Sequence, residues 1–92
     1  MSLATSSHQS DPAMRRRLRW RSRRGLLEND LVLTRFLERH EDCLSDDDVT
    51  GLDQLLDLGD NELLDLMLSR RQLEGDAATP QAIRVLQMLR DA

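Results

Sequence analysis

The chain has 92 residues, of which 39% are hydrophobic and 2% aromatic, and its formal net charge at pH 7 is −4. This length fits one domain with a modest core. The hydrophobic residues are mostly Leu, which favours helices over strands, since β-rich domains depend on aromatic and β-branched side chains. No stretch approaches the roughly 18 apolar residues of a membrane span, and the N-terminus lacks the apolar block of a secretory signal. We therefore expect a soluble helical domain.

Residues 1–13 are polar and rich in small side chains, so we predict a disordered tail followed by a single helical domain over residues 14–92. Met14 is an alternative start of the chain, which leaves open whether the tail is dispensable. The first predicted helix spans residues 13–23, where Leu18 and Trp20 are the only large apolar residues among arginines. This helix should be mostly solvated.

The second predicted helix spans residues 26–40. Gly25 precedes it and is predicted to be the left-handed residue that ends the first helix. Apolar side chains at helical spacing predict a broad stripe that faces the core. That stripe consists of Leu26, Leu27, Leu31, Leu33, Phe36 and Leu37.

Three further helices follow. Ser45 and Asp48 have the spacing of a capping box, and Gly59 is predicted to close the helix that they open. Asp60 can cap a fourth helix, residues 72–78 read as a loop, and the pair Thr79-Pro80 opens the last helix. The predicted fold class is therefore all-α, a compact bundle of five short helices.

Charge is divided sharply along the chain. Residues 15–24 hold seven Arg and no acid, whereas the chain from Gly25 onward holds six Arg against sixteen Asp and Glu. A segment of formal charge +7 is thus joined to a body of about −10. Such asymmetry is typical of a surface that binds a partner.

The sequence offers little for catalysis or for metal binding. Cys43 is the single cysteine, so an internal disulfide is excluded, and no Cys/His cluster has the spacing of a zinc site. Cys43 and His40 are three residues apart, but nothing indicates a third orienting group. The acids at positions 46–48 are explained by helix capping, and no glycine-rich phosphate loop is present. We predict no catalytic residue, no metal and no stably bound cofactor.

The run Arg24-Gly25-Leu26-Leu27-Glu28 has two explanations. In the structural one, Gly25 makes a turn and Glu28 either caps free amides of the second helix or pairs with Arg24 four residues earlier. In the functional one, Gly25 lets a partner's backbone approach closely, and the arginines beside a fixed carboxylate form a recognition patch. Both can hold together.

The longer run from Trp20 to Glu28, followed after a helix by Leu44-Ser45-Asp46-Asp47, resembles the SdhE family, the flavinylation factors of succinate dehydrogenase. The resemblance extends from about Leu18 to Leu89. The chain departs from the family in its fourth helix, where members commonly carry a Trp and this chain has only Leu64, Leu66 and Leu68.

The resemblance implies a non-enzymatic factor that binds the flavoprotein subunit of succinate dehydrogenase, its client, and promotes covalent attachment of FAD to a histidine of that subunit. The flavoprotein subunit of fumarate reductase is a second candidate client. FAD is then attached to the client, and the reaction itself is autocatalytic there. The implied client-binding residues are Arg24, Gly25 and Glu28, with Arg23, Trp20 and Arg19 as neighbours.

The implied location is the bacterial cytoplasm, in preference to the mitochondrial matrix, although a Ser-rich segment that runs into arginines is also typical of a transit peptide. Two other functions stay open at this stage. The arginine block could bind nucleic acid, which the resemblance does not imply and the acidic body disfavours. It could also dock on an acidic protein, as in an adaptor of the toxin-antitoxin type.

Overall fold

The computed structural model describes residues 8–92, and every regular element in this range is helical. Five α-helices follow one another, and two short 3₁₀ turns, Glu41–Cys43 and Gly75–Ala77, lie between them. The prediction of an all-α bundle of five short helices is confirmed. None of the helices in this range is long and apolar enough to cross a membrane. The α-helices are α1 Pro12–Arg21, α2 Leu27–His40, α3 Asp46–Leu56, α4 Asp60–Met67 and α5 Pro80–Arg90.

The starts of α3 and α5 follow the predicted capping chemistry. The Ser45 hydroxyl accepts a hydrogen bond from the Asp48 amide at 3.0 Å, and the Asp48 carboxylate accepts one from the Ser45 amide at 3.2 Å. At α5, the Thr79 hydroxyl accepts from the Ala82 amide at 3.1 Å, and proline occupies the first helical position. Each cap satisfies backbone amides that the helix itself leaves unpaired.

The two glycines that were predicted to end helices do not do so. Gly59 lies three residues beyond the end of α3 and is the N-cap of α4, with a φ of −67°. Within residues 8–92 only Ser69 and Gly75 have a positive φ, so Gly25 is not left-handed either. The prediction for Gly25 was wrong because α1 ends earlier, at Arg21, with Ser22 as its C-cap. The Ser22 hydroxyl donates to the Leu18 carbonyl at 2.9 Å.

The core is formed mainly by leucines from all five helices, with α3 and α5 in the most extensive contact. Gly51 of α3 allows this contact, since a Cβ there would collide with the Gln81 carbonyl of α5. Leucine side chains fill the rest of the interior at the spacing that an amphipathic helix requires. The fully or almost fully buried apolar residues are Leu18, Leu33, Phe36, Leu37, Leu44, Leu52, Leu55, Leu56, Leu63, Leu66, Met67, Ala82, Val85, Leu86 and Leu89.

The stripe predicted for α2 is only half correct. Leu33, Phe36 and Leu37 are buried, but Leu27 and Leu31 are 64% and 52% exposed. With about 100° of rotation per helical residue, Leu31 lies about 200° from Leu33, on the opposite side of the helix. Asn29, not a leucine, occupies the buried face in the first turn of α2.

The predicted tail lies partly outside the described residues, which begin at His8. In its described part, residues 8–11 lie against the domain and α1 starts at Pro12. The His8 amide donates to the Asp46 carboxylate at 2.8 Å, and the Gln9 side chain donates to two backbone carbonyls of the α2–α3 connection. Asp11 caps α1 by accepting from the Ala13 amide at 2.9 Å. Helical structure therefore begins two residues before the predicted domain start.

Candidate functional site

The arginine block is met largely by acids of the chain itself. Five of its seven arginines form ion pairs with residues of the body, whereas Arg16 and Arg17 are exposed and make no ion pair within residues 8–92. Most of the positive charge of the arginine block is thus paired with acids of the same domain. The pairs are Arg15–Asp42, Arg19–Glu41, Arg21–Asp53 with Asp57, Arg23–Asp30 and Arg24–Asp60.

Arg24, a predicted client-binding residue, points into the protein. Its side chain is 15% exposed, and its Nε donates to Asp60 Oδ1 at 2.8 Å. Its two terminal nitrogens donate to the backbone carbonyls of Leu56 and Leu58 at 3.0 and 2.9 Å. Because both carbonyls lie at the C-terminal end of α3 or just beyond it, the guanidinium closes that end of the helix. The side chain of Arg24 is committed to the fold.

Asp60, the first residue of α4, is the acid that the sequence analysis missed as a partner of this run. One carboxylate oxygen accepts from Arg24, and the other accepts from the Leu26 amide at 3.3 Å. The hydrogen bond from Arg24 is the main cause that holds the pKa of Asp60 below its usual value of 3.8. No local signal in the sequence marks this contact, since Arg24 and Asp60 are 36 residues apart.

Asn29 is a second residue that the sequence analysis missed. It is fully buried, and its Nδ2 donates to the Asp60 carbonyl at 2.8 Å. Its Oδ1 has no hydrogen-bond partner in the described part of the chain. A signal was present, because Asn29 interrupts an apolar face at the spacing shared with Leu33 and Phe36. A buried polar side chain at such a position is usually a hydrogen-bonded tether.

Residues 24–29, the connection into α2 with its first turn, are called the α1–α2 turn below. Arg24, Leu26 and Asn29 turn inward and contact Asp60, whereas the residues between them, Gly25, Leu27 and Glu28, are exposed. Asp60 therefore holds the turn from its inner side at three places, and the Asp30 carboxylate accepts one further hydrogen bond, from the Arg24 amide at 3.0 Å.

Glu28 is exposed and makes no hydrogen bond or ion pair with residues 8–92. The N-terminus of α2 has no side-chain cap, so both structural roles predicted for Glu28, capping and pairing with Arg24, were wrong. Arg24 is taken by Asp60, which is better placed than a residue on the outer face. The carboxylate of Glu28 is available to a partner.

Nothing in the structure of residues 8–92 requires a glycine at position 25. A Cβ added there would have the Asp60 carboxylate as its nearest neighbour, at 3.7 Å, which is an ordinary van der Waals distance. Its backbone is also outside the left-handed region that favours glycine. Neither conformation nor packing within residues 8–92 explains why this position has no side chain.

The remaining predicted site residues border the turn on the α1 side. Trp20 is 78% exposed, which is unusual for the largest apolar side chain of the protein. Arg19 and Arg23 keep 64% and 71% of their side chains exposed despite their ion pairs. Both arginines line a groove of about 340 Å³ between α1 and α2, opposite Thr34 and Glu38. Trp20 and Glu28 lie outside this groove.

The other candidate chemistry does not assemble. The Cys43 thiol donates to the His40 carbonyl at 3.4 Å, and the His40 ring packs against Phe36 with 5.1 Å between ring centroids. The imidazole and the thiol are therefore not paired with each other. Within residues 8–92 no group of three or more His, Cys, Asp or Glu side chains is arranged to hold a metal ion.

Comparison with known proteins gives a consistent result. The family model described as "Sdh5: Flavinator of succinate dehydrogenase" matches residues 16–92. A Ralstonia nicotianae protein named FAD assembly factor SdhE is 56% identical over 87 residues, which cover 95% of this chain and 92% of the relative. A protein of the same name from Acetobacter pasteurianus is 33% identical over 76 residues, covering 82% of this chain and 70% of the relative.

A shorter match reaches a eukaryotic protein. Succinate dehydrogenase assembly factor 2, mitochondrial, of Meyerozyma guilliermondii is 55% identical over 42 residues, which cover 45% of this chain and 31% of that protein. No solved structure matches the chain. The family match includes all five helices except the first residues of α1, and thus the whole α1–α2 turn with Asp60. The chain belongs to the Sdh5 family, the flavinators of succinate dehydrogenase.

Proposed function

We propose that this protein is an FAD assembly factor, which binds the flavoprotein subunit of succinate dehydrogenase and promotes covalent attachment of FAD to it. The observation that carries the site is the division of the α1–α2 turn. Its exposed residues Gly25 and Glu28 make no side-chain contact that the fold of residues 8–92 requires, while their neighbours hold them in a fixed geometry. Family membership supplies the client, and the exposed side of the turn supplies the contact.

The chain's own residues account for binding and orientation of the client. Glu28 offers a carboxylate that has no partner within residues 8–92, which suits a cationic or amide donor on the client surface. Gly25 allows the client's backbone to approach closely. Leu27 and Leu31, one helical turn apart and both exposed, add an apolar contact beside the carboxylate. Because the turn is already ordered, little conformational entropy is lost when the client binds.

The covalent chemistry belongs to the flavin and to a histidine of the client, which react without a catalytic group from this chain. FAD is thus cargo that becomes attached to the client and is not held stably by the factor. The factor lowers the barrier by holding the client where its histidine and the flavin ring are correctly placed. In this proposal the process is autocatalytic within the client, and the factor is not an enzyme.

The residues named from the sequence divide into two groups. Glu28 and Gly25 contact the client, with Trp20, Arg19 and Arg23 at the border of the contact. Arg24 acts indirectly, because its guanidinium is engaged by Asp60 and two backbone carbonyls. The bacterial cytoplasm is the proposed location, and the flavoprotein subunit of fumarate reductase is a further proposed client.

The direct test uses the covalent flavin itself. Bacterial cells that lack this protein are complemented with the wild-type chain, with Glu28→Gln or with an empty vector. The denatured dehydrogenase subunit is then assayed in a gel for flavin fluorescence. We expect covalent FAD with the wild-type chain and strongly reduced FAD with Glu28→Gln and with the empty vector. Equal fluorescence with the wild-type chain and with the empty vector would contradict the proposal.

The nucleic-acid alternative loses its main support in the fold, because only Arg16 and Arg17 of the block are free of ion pairs among the described residues. Affinity for a phosphate backbone grows with the number of phosphates neutralised, and two free arginines supply little. We expect the protein to pass through a heparin column at about 150 mM salt. Retention there would revive this alternative.

A further inference from the structure

We propose that Asp60 is a positioning residue for client binding, which acts through the α1–α2 turn without touching the client. The inference rests on the proposed function, and it adds a residue of another helix to the site. Asp60 contacts the turn at three places, through two carboxylate oxygens and its own backbone carbonyl. The three contacts bracket Gly25 and Glu28 from both sides.

Hydrogen bonds to Asp60 hold the residues next to the exposed Gly25 and Glu28. Arg24 immediately precedes Gly25, and Asn29 immediately follows Glu28. Arg24 and Asn29 are both tethered to Asp60, at 2.8 Å in each case. Between them the Leu26 amide, which precedes α2, is held by the second carboxylate oxygen at 3.3 Å. A shift of this carboxylate would therefore move Arg24 and Leu26, which flank Gly25, relative to Asn29, which the backbone carbonyl of Asp60 holds beside Glu28.

The same contacts connect two distant parts of the chain. The guanidinium of Arg24 joins the carbonyls of Leu56 and Leu58, at the end of α3 and just after it, to the carboxylate at the start of α4. The α1–α2 turn is thus bound to the α3–α4 connection through one arginine and one aspartate. Rigid placement by such a charge-assisted network is what a binding site needs from residues that do not touch the ligand.

Asp48 provides a matched control within the same protein. It also accepts one backbone amide, from Ser45 at 3.2 Å, and one arginine, Arg84, at 2.9 Å. It lies in the first turn of α3, and none of its hydrogen bonds involves the α1–α2 turn. Asp48→Asn and Asp60→Asn therefore remove similar interactions from the fold, but only the second loosens the turn.

The experiment compares the full chain and its variants in binding to the purified flavoprotein subunit that lacks covalent FAD, by isothermal titration calorimetry. We expect Asp60→Asn to raise Kd about tenfold and Asp48→Asn to change it less than about twofold. In a Glu28→Gln background, Asp60→Asn should add less than about twofold, since its effect passes through the placement of Glu28. Circular dichroism of each variant establishes that it is folded at the temperature of titration.

Two results would overturn the inference: an equal rise in Kd for Asp60→Asn and Asp48→Asn, or a full effect of Asp60→Asn in the Glu28→Gln background. If Asp60→Asn does not fold, Asp60→Glu takes its place in both comparisons with the same expectations, because it keeps the charge and displaces the carboxylate by one methylene. Failure of the wild-type chain to bind the subunit would instead contradict the proposed function. Failure of the proposed function is therefore distinguishable from failure of the inference about Asp60.

Discussion

The six residues of the α1–α2 turn form an inner group and an outer group, and the two groups differ in their contacts. On the inner side, Arg24 and Asn29 are mostly or fully buried, and each makes at least one hydrogen bond to Asp60. On the outer side, Gly25 and Glu28 are exposed, and no contact within residues 8–92 requires a glycine or a glutamate at these positions. Arg24 and Asn29 adjoin the proposed client-contacting residues in sequence, but this adjacency says little about their own roles. Stability and client binding should be separable by single substitutions in this turn.

The largest expected effect is on the inner side. Arg24→Ala leaves the Asp60 carboxylate and the Leu56 and Leu58 carbonyls without their donor. We expect the free energy of unfolding to fall by about 3 kcal/mol, since three hydrogen bonds of a mostly buried group are lost and each contributes about 1 kcal/mol. Urea unfolding measures this change. The control is Arg23→Ala, whose side chain is 71% exposed and should change stability by less than about 0.5 kcal/mol.

Equal stability losses in Arg24→Ala and Arg23→Ala would mean that the buried contacts of Arg24 stabilise the fold no more than the exposed ion pair of Arg23 does. The inner side would then not be the source of order in the turn.

On the outer side, Glu28→Gln should reduce client binding about tenfold or more, because a carboxylate that meets a donor on the client is replaced by a neutral amide. The free energy of unfolding should stay within about 0.5 kcal/mol of the wild type, as expected for an exposed residue without a partner. Titration with the client and urea unfolding give the two values. Glu38→Gln is the control, an exposed glutamate of the same helix that lies about 80° away around its axis.

A loss of stability in Glu28→Gln with unchanged client binding would return Glu28 to a structural role. The same loss of client binding in Glu38→Gln would show that negative charge on α2, and not the position of Glu28, is what the client recognises.

Sequence reasoning succeeded where the determinant is local. The starts of α3 and α5 depend on Ser45, Asp48 and Thr79, each of which bonds an amide three residues away or less. It failed on the rotation of α2, since Leu31 and Leu33 were assigned to one stripe although they lie on opposite sides of the helix. Which of them is buried depends on the helices that pack against α2 from later in the chain.

The candidate site shows the same limit. The spacing of Arg24 and Glu28 fits the local rule for a helical ion pair, and that rule predicts the wrong partner. Arg24 instead meets Asp60, and a contact across 36 residues leaves no trace in local spacing. The family resemblance drew attention to Gly25 and Glu28, but their separation from Arg24 needs the fold.

Gly25→Ala is a smaller test of the outer side. The added methyl group meets only the Asp60 carboxylate, at 3.7 Å, so the fold should accept it, with a gain in stability of about 0.5 kcal/mol from the stiffer unfolded chain. Client binding should weaken by about 1 kcal/mol if the client backbone approaches this position closely. Gly59→Ala is the control for binding, because a Cβ there meets nothing within 4 Å inside the chain.

Client binding that is unchanged in Gly25→Ala would mean that the client does not approach the backbone here. Glu28 would then carry the contact with the neighbouring leucines alone.

The smallest expected effect concerns acid. The pKa of Asp60 is lowered mainly by Arg24, and that of Asp48 is also lowered, because hydrogen bonds from Ser45 and Arg84 outweigh the burial that would raise it. A lowered pKa means that the unfolded chain binds protons at a higher pH than the folded one does. The stability from both carboxylates is therefore complete well above pH 3.8 and is lost as the pH falls through the lowered pKa values.

This acid sensitivity tests what the Asp60 carboxylate contributes on the inner side of the turn. Urea unfolding of the wild type and of Asp60→Asn between pH 6 and about pH 3 should give curves that converge as the pH falls, since the amide that replaces the carboxylate does not take up a proton in this range. Asp48→Asn should converge with the wild type in the same way. Parallel curves for Asp60→Asn would show that its carboxylate does not stabilise the turn, and Arg24 would then be held by the backbone carbonyls alone.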